Sequence, residues 1–239
     1  MSARADDSRE NPPCGAPAAE ALRALLDRRY SCRGFLARPV PRDTIRQITE
    51  LAQRTASWCN SQPWQVSIVS GDALRRLGAA LGEHARRGEA ACPDFPFPAE
   101  YRGVYQERRR ACGLALYDSV GIARGDRAAS ARQGLENFRF FGAPHVAIVT
   151  TERALGIYGA IDCGAYVSSF MLAATSLGVA SIAQAALASY PALLREQLGI
   201  SEERALVCGI SFGIEDPAHP ANRFRTGRAR IDDVLTWVE

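Results

Sequence analysis

Apolar residues recur along the chain with two different periods, and these periods predict its elements. Four stretches predict buried strands, by alternation at 65–69 and by apolar runs at 145–150, 179–186 and 205–212. Between them, apolar residues at helical spacing predict helices, and the helix predicted over 156–178 carries almost no charge. A helix that is apolar on most sides needs a sheet or a second subunit to cover it. The order of elements predicts an α+β fold of three layers, a central mixed sheet flanked by helices.

Residues at helix ends set the predicted boundaries of the other helices. Asp72 and Asp126 are predicted N-caps, because a carboxylate at that position accepts a free backbone N–H. A long helix is predicted from Ala99 to about Ile122. The helix that opens at Pro41 has a predicted buried face made of Ile45, Ile48, Leu51 and Ala52.

Composition and charge narrow the class of protein. Residues 1–17, rich in Pro, Ala, Asp and Ser, predict a disordered lead-in to one domain over 18–239. The lead-in lacks the apolar run of a signal peptide, and the chain has no apolar stretch of 18 residues. The net charge of +3 is too small to indicate nucleic acid or a membrane surface as partner. The sequence therefore predicts a soluble, cytoplasmic protein.

The sequence lacks the motifs of two common kinds of cofactor site, metal sites and glycine-rich nucleotide-binding loops. The seven cysteines include no Cys-x-x-Cys pair and the three histidines are scattered, so we expect no metal site and no disulfide framework. Neither a Gly-x-Gly-x-x-Gly motif after a strand nor a Gly-x-x-x-x-Gly-Lys-Ser/Thr loop is present. A nucleotide-like cofactor would need another kind of binding site.

The stretch 56–64 is a candidate for such a site. It holds small polar side chains between a predicted helix and the strand at 65–69. Asn60 and Gln62 each carry a hydrogen-bond donor and an acceptor, which suits the edge of a ring that presents carbonyl oxygens beside N–H groups. The alternative is an ordinary helix-to-strand loop with two exposed amides.

A second candidate lies upstream, where a predicted helix ends at Arg29, Tyr30 and Ser31. A guanidinium and a hydroxyl at a chain turn can together hold a phosphate. The alternative is that Arg28 and Arg29 only favour the C-terminal end of the helix. Further along, Phe95 and Phe97 stand on a proline-rich loop, where they could form a wall over an aromatic substrate or fasten the loop to the core.

The two polar elements, in this order and at this separation, resemble the FMN-dependent nitroreductase family. The pattern covers the chain from about Ala18 to Glu239. The Ser57–Trp58–Cys59–Asn60 and Asn222–Arg223–Phe224–Arg225–Thr226 elements are similar to those of its nitrobenzoate and nitroaromatic reductases. The resemblance implies the family's three-layer fold, with a mainly antiparallel sheet, and an obligate homodimer that exchanges C-terminal segments and holds the flavin at the subunit interface.

The resemblance also assigns site residues. The implied FMN-binding residues are Arg29, Tyr30, Ser31, Arg33, Ser57, Trp58, Cys59, Asn60, Gln62, Ala183, Gln184, Ala185, Ala186, Arg225 and Arg228. The implied substrate residues are Trp58, Phe95, Phe97 and Tyr101. Arg33 would tune the flavin, and no side chain is implied as a catalytic acid or base. One departure concerns the loop Ala183–Ala186, where better-known members have Pro-x-Glu-Gly, which affects the choice of substrate.

The implied activity is reduction of a small aromatic acceptor, a nitroaromatic or a quinone. NADH or NADPH would reduce bound FMN, and the acceptor would then use the same pocket in a two-electron ping-pong cycle. Two alternatives stay open. The first is an FMN-dependent dehydrogenase, desaturase or dehalogenase on the same scaffold, and the second is a flavin-binding protein without fast turnover.

Overall fold

A computed structural model describes residues 15–239 of the chain. Its helices are α1 (Ala16–Arg28), α2 (Arg42–Ala52), α3 (Gly71–Arg86), α4 (Gly103–Ser119), α5 (Arg127–Leu135), α6 (Gly156–Ser176) and α7 (Pro191–Leu198). Its strands are β1 (Phe35–Leu36), β2 (Gln65–Ser70), β3 (His145–Glu152), β4 (Ala180–Gln184) and β5 (Arg204–Glu215). Most of the lead-in predicted to be disordered lies outside the described residues, and α1 begins at Ala16, two residues before the predicted domain start.

The five strands form one sheet, with β5 at its centre. Strand β5 pairs with β3, and β3 in turn pairs with β2. Strand β5 also pairs with β4, through residues 209–213, and with β1, through Ile214 and Glu215. These ladders are antiparallel, and a single parallel bridge joins Ser31 to Ser181 beside β4. The sheet is therefore mainly antiparallel, as the family resemblance implied.

Side chains on β3 show why the fold has three layers. Val146 and Ile148 point into a core that includes residues of α3 and α7. Ala147 and Val149, on alternate positions, point into a second core that includes residues of α2 and α6. A strand buried on both faces reads as a continuous apolar run, which is the pattern that the sequence showed at 145–150. The predicted three-layer α+β fold is confirmed.

Several predicted boundaries and roles need correction. Asp126 is the N-cap of α5 and accepts the Ala129 N–H at 2.8 Å. Asp72 is not an N-cap, because α3 begins at Gly71, and the Asp72 carboxylate pairs instead with Arg75. Leu51 is 52% exposed, because it lies about a quarter turn from the centre of the face that buries the other three predicted residues.

Helix α4 is shorter than the predicted Ala99–Ile122 helix. It begins at Gly103, after an extended N-cap at Arg102, and its last residue is Ser119. Pro93, Pro96 and Pro98 precede it, and proline both lacks an N–H and disfavours helical geometry in the residue before it. The strand β1 has two residues, too few to show a period in the sequence.

Helix α6 has one covered and one open face. Cys163, Val167 and Phe170 are buried in the core that it shares with α2 and the sheet. On the other side, Ile157 and Ile161 are 67% and 58% exposed. Together with residues 153–155 the helix is long and apolar enough to cross a membrane, a test that core helices of soluble proteins also pass.

Candidate functional site

The segment 29–33 leaves α1 in extended form and runs beside β4. The Cys32 N–H donates to the Ser181 carbonyl at 3.2 Å, next to the parallel bridge of Ser31 with Ser181. Gly34 follows, where a Cβ atom would collide with His219. This close approach brings the C-terminal part of the chain against the segment.

Asn222 makes the connection between the two regions. Its side chain is buried, donates to the carbonyls of Gly34 (2.8 Å) and Asp216 (2.9 Å), and accepts the Arg33 N–H at 2.8 Å. As a result, the Arg225 guanidinium carbon lies 3.5 Å from the centre of the Tyr30 ring. The C-terminal arginines therefore meet the 29–33 segment, although nearly 200 residues separate them in sequence.

These residues surround a cavity of about 480 Å³, which we call the arginine cavity. The residues lining it are Leu26, Asp27, Arg29, Tyr30, Ser31, Arg33, Cys112, Phe224, Arg225, Thr226 and Arg228. Four of them are arginines and one is an aspartate. Within residues 15–239, no carboxylate forms an ion pair with any of the four guanidinium groups.

The electrostatics of the arginine cavity favour an anion. Burial lowers the pKa of Arg29, and the nearby charge of Arg228 lowers that pKa further. Burial also lowers the pKa of Arg33, whose guanidinium lies 5.8 Å from the Phe224 ring and 6.0 Å from the Phe141 ring. Clustered cations that lack carboxylate partners are stabilised by a doubly charged phosphate. The residues present therefore fit the phosphate end of FMN.

The second polar element, which we call the amide loop (57–62), has a strained backbone. Cys59, Asn60 and Gln62 all have positive φ angles, of 50°, 54° and 46°. Such angles are uncommon outside glycine, and they persist where the surrounding structure fixes them. The loop therefore needs supports, and hydrogen bonds supply them.

Three groups hold the amide loop. The Asp162 carboxylate of α6 accepts the Trp58 N–H, at 3.2 Å to each oxygen. The Ser57 hydroxyl accepts the Gln62 N–H at 2.9 Å. Arg204 donates to the Pro63 carbonyl at 2.7 Å and so fixes the start of β2. Asp162 was missed as a site residue, although its signal is visible: it is the lone charge in the predicted 156–178 helix.

The loop 183–186 offers mainly backbone to a ligand. Ala183 and Ala185 are exposed at the end of β4. The Gln184 side chain is buried; it donates to the Asn137 carbonyl at 3.0 Å and accepts from the Ser211 hydroxyl. Any role of Gln184 in binding the cofactor would therefore use its backbone, because its side-chain amide is already hydrogen-bonded within the core.

The predicted substrate residues make separate contacts in the structure. Trp58 packs edge-on against Tyr158, with ring centres 4.2 Å apart. The loop that carries Phe95 and Phe97 is fastened elsewhere by Asp94, and Tyr101 lies under the Arg109 guanidinium, at 5.0 Å. The loop is thus fastened by the Asp94 carboxylate, whereas Phe97 is 39% exposed. None of these four aromatic residues lines the arginine cavity.

The same holds for the two polar elements themselves. The amide loop is bonded to α6 and to the C-terminal end of α2, whereas the arginine cavity lies between α1, α4 and the C-terminal segment. No residue of the amide loop lines the arginine cavity. Within one chain the arginine cavity and the amide loop are therefore two separate polar sites, which we call the half-sites.

An antiparallel sheet between two helical layers, with these two half-sites at its margins, defines an oxidoreductase of the nitroreductase type. The model of the Nitroreductase family matches residues 26–214, and the chain belongs to that family. The resemblance and the fold predicted from the sequence are thus confirmed.

Individual relatives match over nearly the whole chain. The nitroreductase NfnB of Mycolicibacterium smegmatis is 39% identical over 220 residues, which cover 92% of this chain and 93% of the relative. A 4-nitrobenzoate reductase of a Nocardioides species is 33% identical and covers 100% of this chain and 98% of its own. A crystal structure of the FMN-dependent NfnB from Mycobacterium smegmatis in complex with NADPH matches with a TM-score of 0.88 at 37% identity, over 92% of this chain and 99% of that one.

Proposed function

We propose that this chain is an FMN-dependent NAD(P)H oxidoreductase that reduces nitroaromatic compounds by two-electron, ping-pong transfer. The observation that carries the proposal is the arginine cavity, where four arginines line a space of about 480 Å³ and form no ion pair with a carboxylate among the described residues. Relatives named as nitrobenzoate reductase and FMN-dependent nitroreductase support the acceptor and the cofactor. The NADPH complex of one relative favours NADPH over NADH as donor.

In this proposal the chain's own residues bind and orient. Arg29, Arg225 and Arg228 hold the phosphate, with the Ser31 hydroxyl beside them. Arg33 places positive charge near the ring, where negative charge develops on reduction. When bound, FMN supplies the hydride chemistry. One hydride and one proton convert a nitro group to a nitroso group and water, and solvent can deliver the proton, so no side chain need act as an acid.

We propose further that the site is completed across a homodimer. The two half-sites do not meet within one chain, and α6 exposes Ile157, Tyr158 and Ile161 on the side away from the core. The C-terminal residues Trp237 and Val238 are 80% and 92% exposed, as expected for a segment that packs on a partner. Apolar surface of this kind favours a symmetric pair of chains.

The test uses the purified protein. We expect about one FMN per chain, bleaching of its visible absorbance by NADPH alone, and recovery on addition of 4-nitrobenzoate. Double-reciprocal plots at several acceptor concentrations should be parallel, because one pocket serves both substrates in turn. Intersecting lines would contradict the shared pocket. If neither nicotinamide bleaches bound flavin, the dehydrogenase or the flavin-binding alternative is correct.

A further inference from the structure

We infer that Gln53 is a positioning residue that makes Asn60 present an N–H donor to the ligand. Gln53 is the C-cap of α2 and lies outside the amide loop. The inference rests on the proposed function, since the ligand edge is taken to be that of a flavin ring. It goes beyond the sequence, in which the amides of Asn60 and Gln62 could each offer either a donor or an acceptor.

The argument begins at Trp64, because an indole N–H can only donate. Its Nε1 donates to the Gln53 Oε1 at 2.9 Å. The oxygen of the Gln53 amide is thereby assigned, and its nitrogen must point the other way. The Gln53 Nε2 donates to the Gln62 Oε1 at 3.0 Å.

The same reasoning passes through Gln62. Because its oxygen accepts from Gln53, its nitrogen is the free donor, and it donates to the Asn60 Oδ1 at 3.1 Å and to the Asn60 carbonyl at 3.2 Å. Asn60 therefore uses both of its oxygens inside the protein. Its Nδ2 makes no hydrogen bond to any described residue, which leaves this group to face a ligand.

The origin of this polarity is firmly held. Trp64 is 7% exposed and stacks on Tyr166 of α6, with ring centres 5.0 Å apart. The preceding carbonyl, at Pro63, accepts from the buried Arg204. At the other end, the positive φ angles of Asn60 and Gln62 fix the direction in which their side chains leave the backbone. A core indole thus decides the orientation of an amide in the site.

The consequence is a chemical preference. A donor at Asn60 pairs with a carbonyl oxygen of a ring and leaves a ring N–H unpaired. A donor or acceptor that meets the wrong partner in the bound complex weakens binding by about 10- to 100-fold.

A near-isosteric variant can reverse the polarity. In Gln53→Glu the carboxylate still accepts from Trp64 but has no donor for Gln62. The Gln62 amide then turns to donate to the introduced carboxylate, its oxygen accepts from Asn60, and Asn60 presents Oδ1 to the ligand. We expect the dissociation constant for FMN to rise about 10- to 100-fold. The matched control is Gln47→Glu, which places the same charge on an exposed position of α2 outside this network.

Riboflavin separates polarity from charge, because it carries the ring without the phosphate. A polarity effect predicts the same loss for riboflavin as for FMN, and the same loss at low and high salt. A purely electrostatic effect of the new carboxylate would fall on FMN and would be screened by salt.

A second measurement does not involve the ligand. In ¹⁵N-indole-labelled protein, the Trp64 N–H signal should move downfield in Gln53→Glu, because a carboxylate is the stronger acceptor, and upfield in Gln53→Met. Equal flavin affinity of Gln53→Glu and Gln47→Glu, with wild-type protein still binding FMN, would overturn the positioning role and leave the proposed function intact. Wild-type protein that binds no flavin would overturn the proposed function itself.

Discussion

At the scale of single residues, Arg29 shows why the arginine cavity should bind an anion. It is half-buried at the end of α1, its pKa is lowered by burial and by Arg228, and no described carboxylate forms an ion pair with it. A cation in such a position is costly without an anion and strongly stabilised by one. Arg38, nine residues further along, is exposed and serves as a comparison, because its guanidinium stays in water.

Replacing Arg29 with Ala should weaken FMN binding by about 10- to 100-fold, because a charge-assisted hydrogen bond contributes about 1.5–3 kcal/mol. Arg38→Ala should change it by less than about fivefold, as expected for an exposed charge. Quenching of flavin fluorescence during titration measures both. Equal dissociation constants for the two variants would mean that Arg29 serves only the end of the helix.

The residue scale also shows what sequence could reach. Arg29, Ser31, Arg225 and Arg228 were predicted together, and the structure brings them to one cavity, because motifs carry their chemistry in residue type and spacing. Gln184 could not be judged in that way. Its amide is used by Asn137 and Ser211, which lie 47 and 27 residues away in the chain, and only the fold shows that the three meet.

At the scale of elements, the loop 92–98 depends on Asp94. Its carboxylate accepts from Arg195 at 2.6 Å, from Arg153 at 3.0 Å and from the Leu206 N–H at 2.8 Å. Burial alone would raise the pKa of Asp94, but these hydrogen bonds outweigh it and the pKa is lowered. The carboxylate thus joins the loop to α7 and to the central strand.

Asp94→Asn should reduce the free energy of unfolding by about 3 kcal/mol at pH 7, at the low end for a broken buried ion pair, because it removes the buried counter-charge of Arg195 and leaves only the exposed Glu202 carboxylate, at 3.4 Å, beside that guanidinium. Since the pKa is lowered in the folded state, the stabilisation is complete above the ordinary Asp value of about 3.9 and is lost as the pH falls below it. Urea unfolding at pH 7 and pH 3 should show the two proteins converging in acid. A pH-independent difference would exclude the carboxylate charge as its cause, and Asp118→Asn, on exposed α4, is the control.

Element boundaries followed the sequence where one period dominated. The run at 145–150 lies within β3, and α7 ends at Leu198, where Gly199 in a left-handed conformation (φ 64°) is the C-cap. The ends of α4 were harder to predict, because this helix has no buried residue and its polar and apolar positions show little periodicity. Its start is set by the proline-rich chain before it.

At the scale of the whole molecule, α6 carries an open stripe along its length. Ile157 and Ile161 form its bulky end, and Gly164, Ala165 and Ser168 continue it as small exposed residues. Small residues let a second helix approach closely, and bulky apolar residues lose contact with water when it does. The stripe therefore suits a symmetric partner.

Ile161→Lys should convert the proposed dimer to monomer at micromolar concentration, because it places a charge in an apolar contact that would be buried. Light scattering coupled to size exclusion measures the mass. Ala79→Lys, on α3 in the opposite helical layer, should leave the mass unchanged. A monomeric wild-type protein that retains FMN would contradict the shared site.

The arginine cavity has a consequence for the life of the protein in the cell. Four arginines and one aspartate line this space, so in the proposed function the phosphate of FMN would neutralise excess positive charge and stabilise the folded chain. A ligand that binds the native state alone shifts the folding equilibrium by mass action, and small shifts change how much protein escapes degradation. The supply of flavin would then set how much of this enzyme exists, in addition to how much of it works.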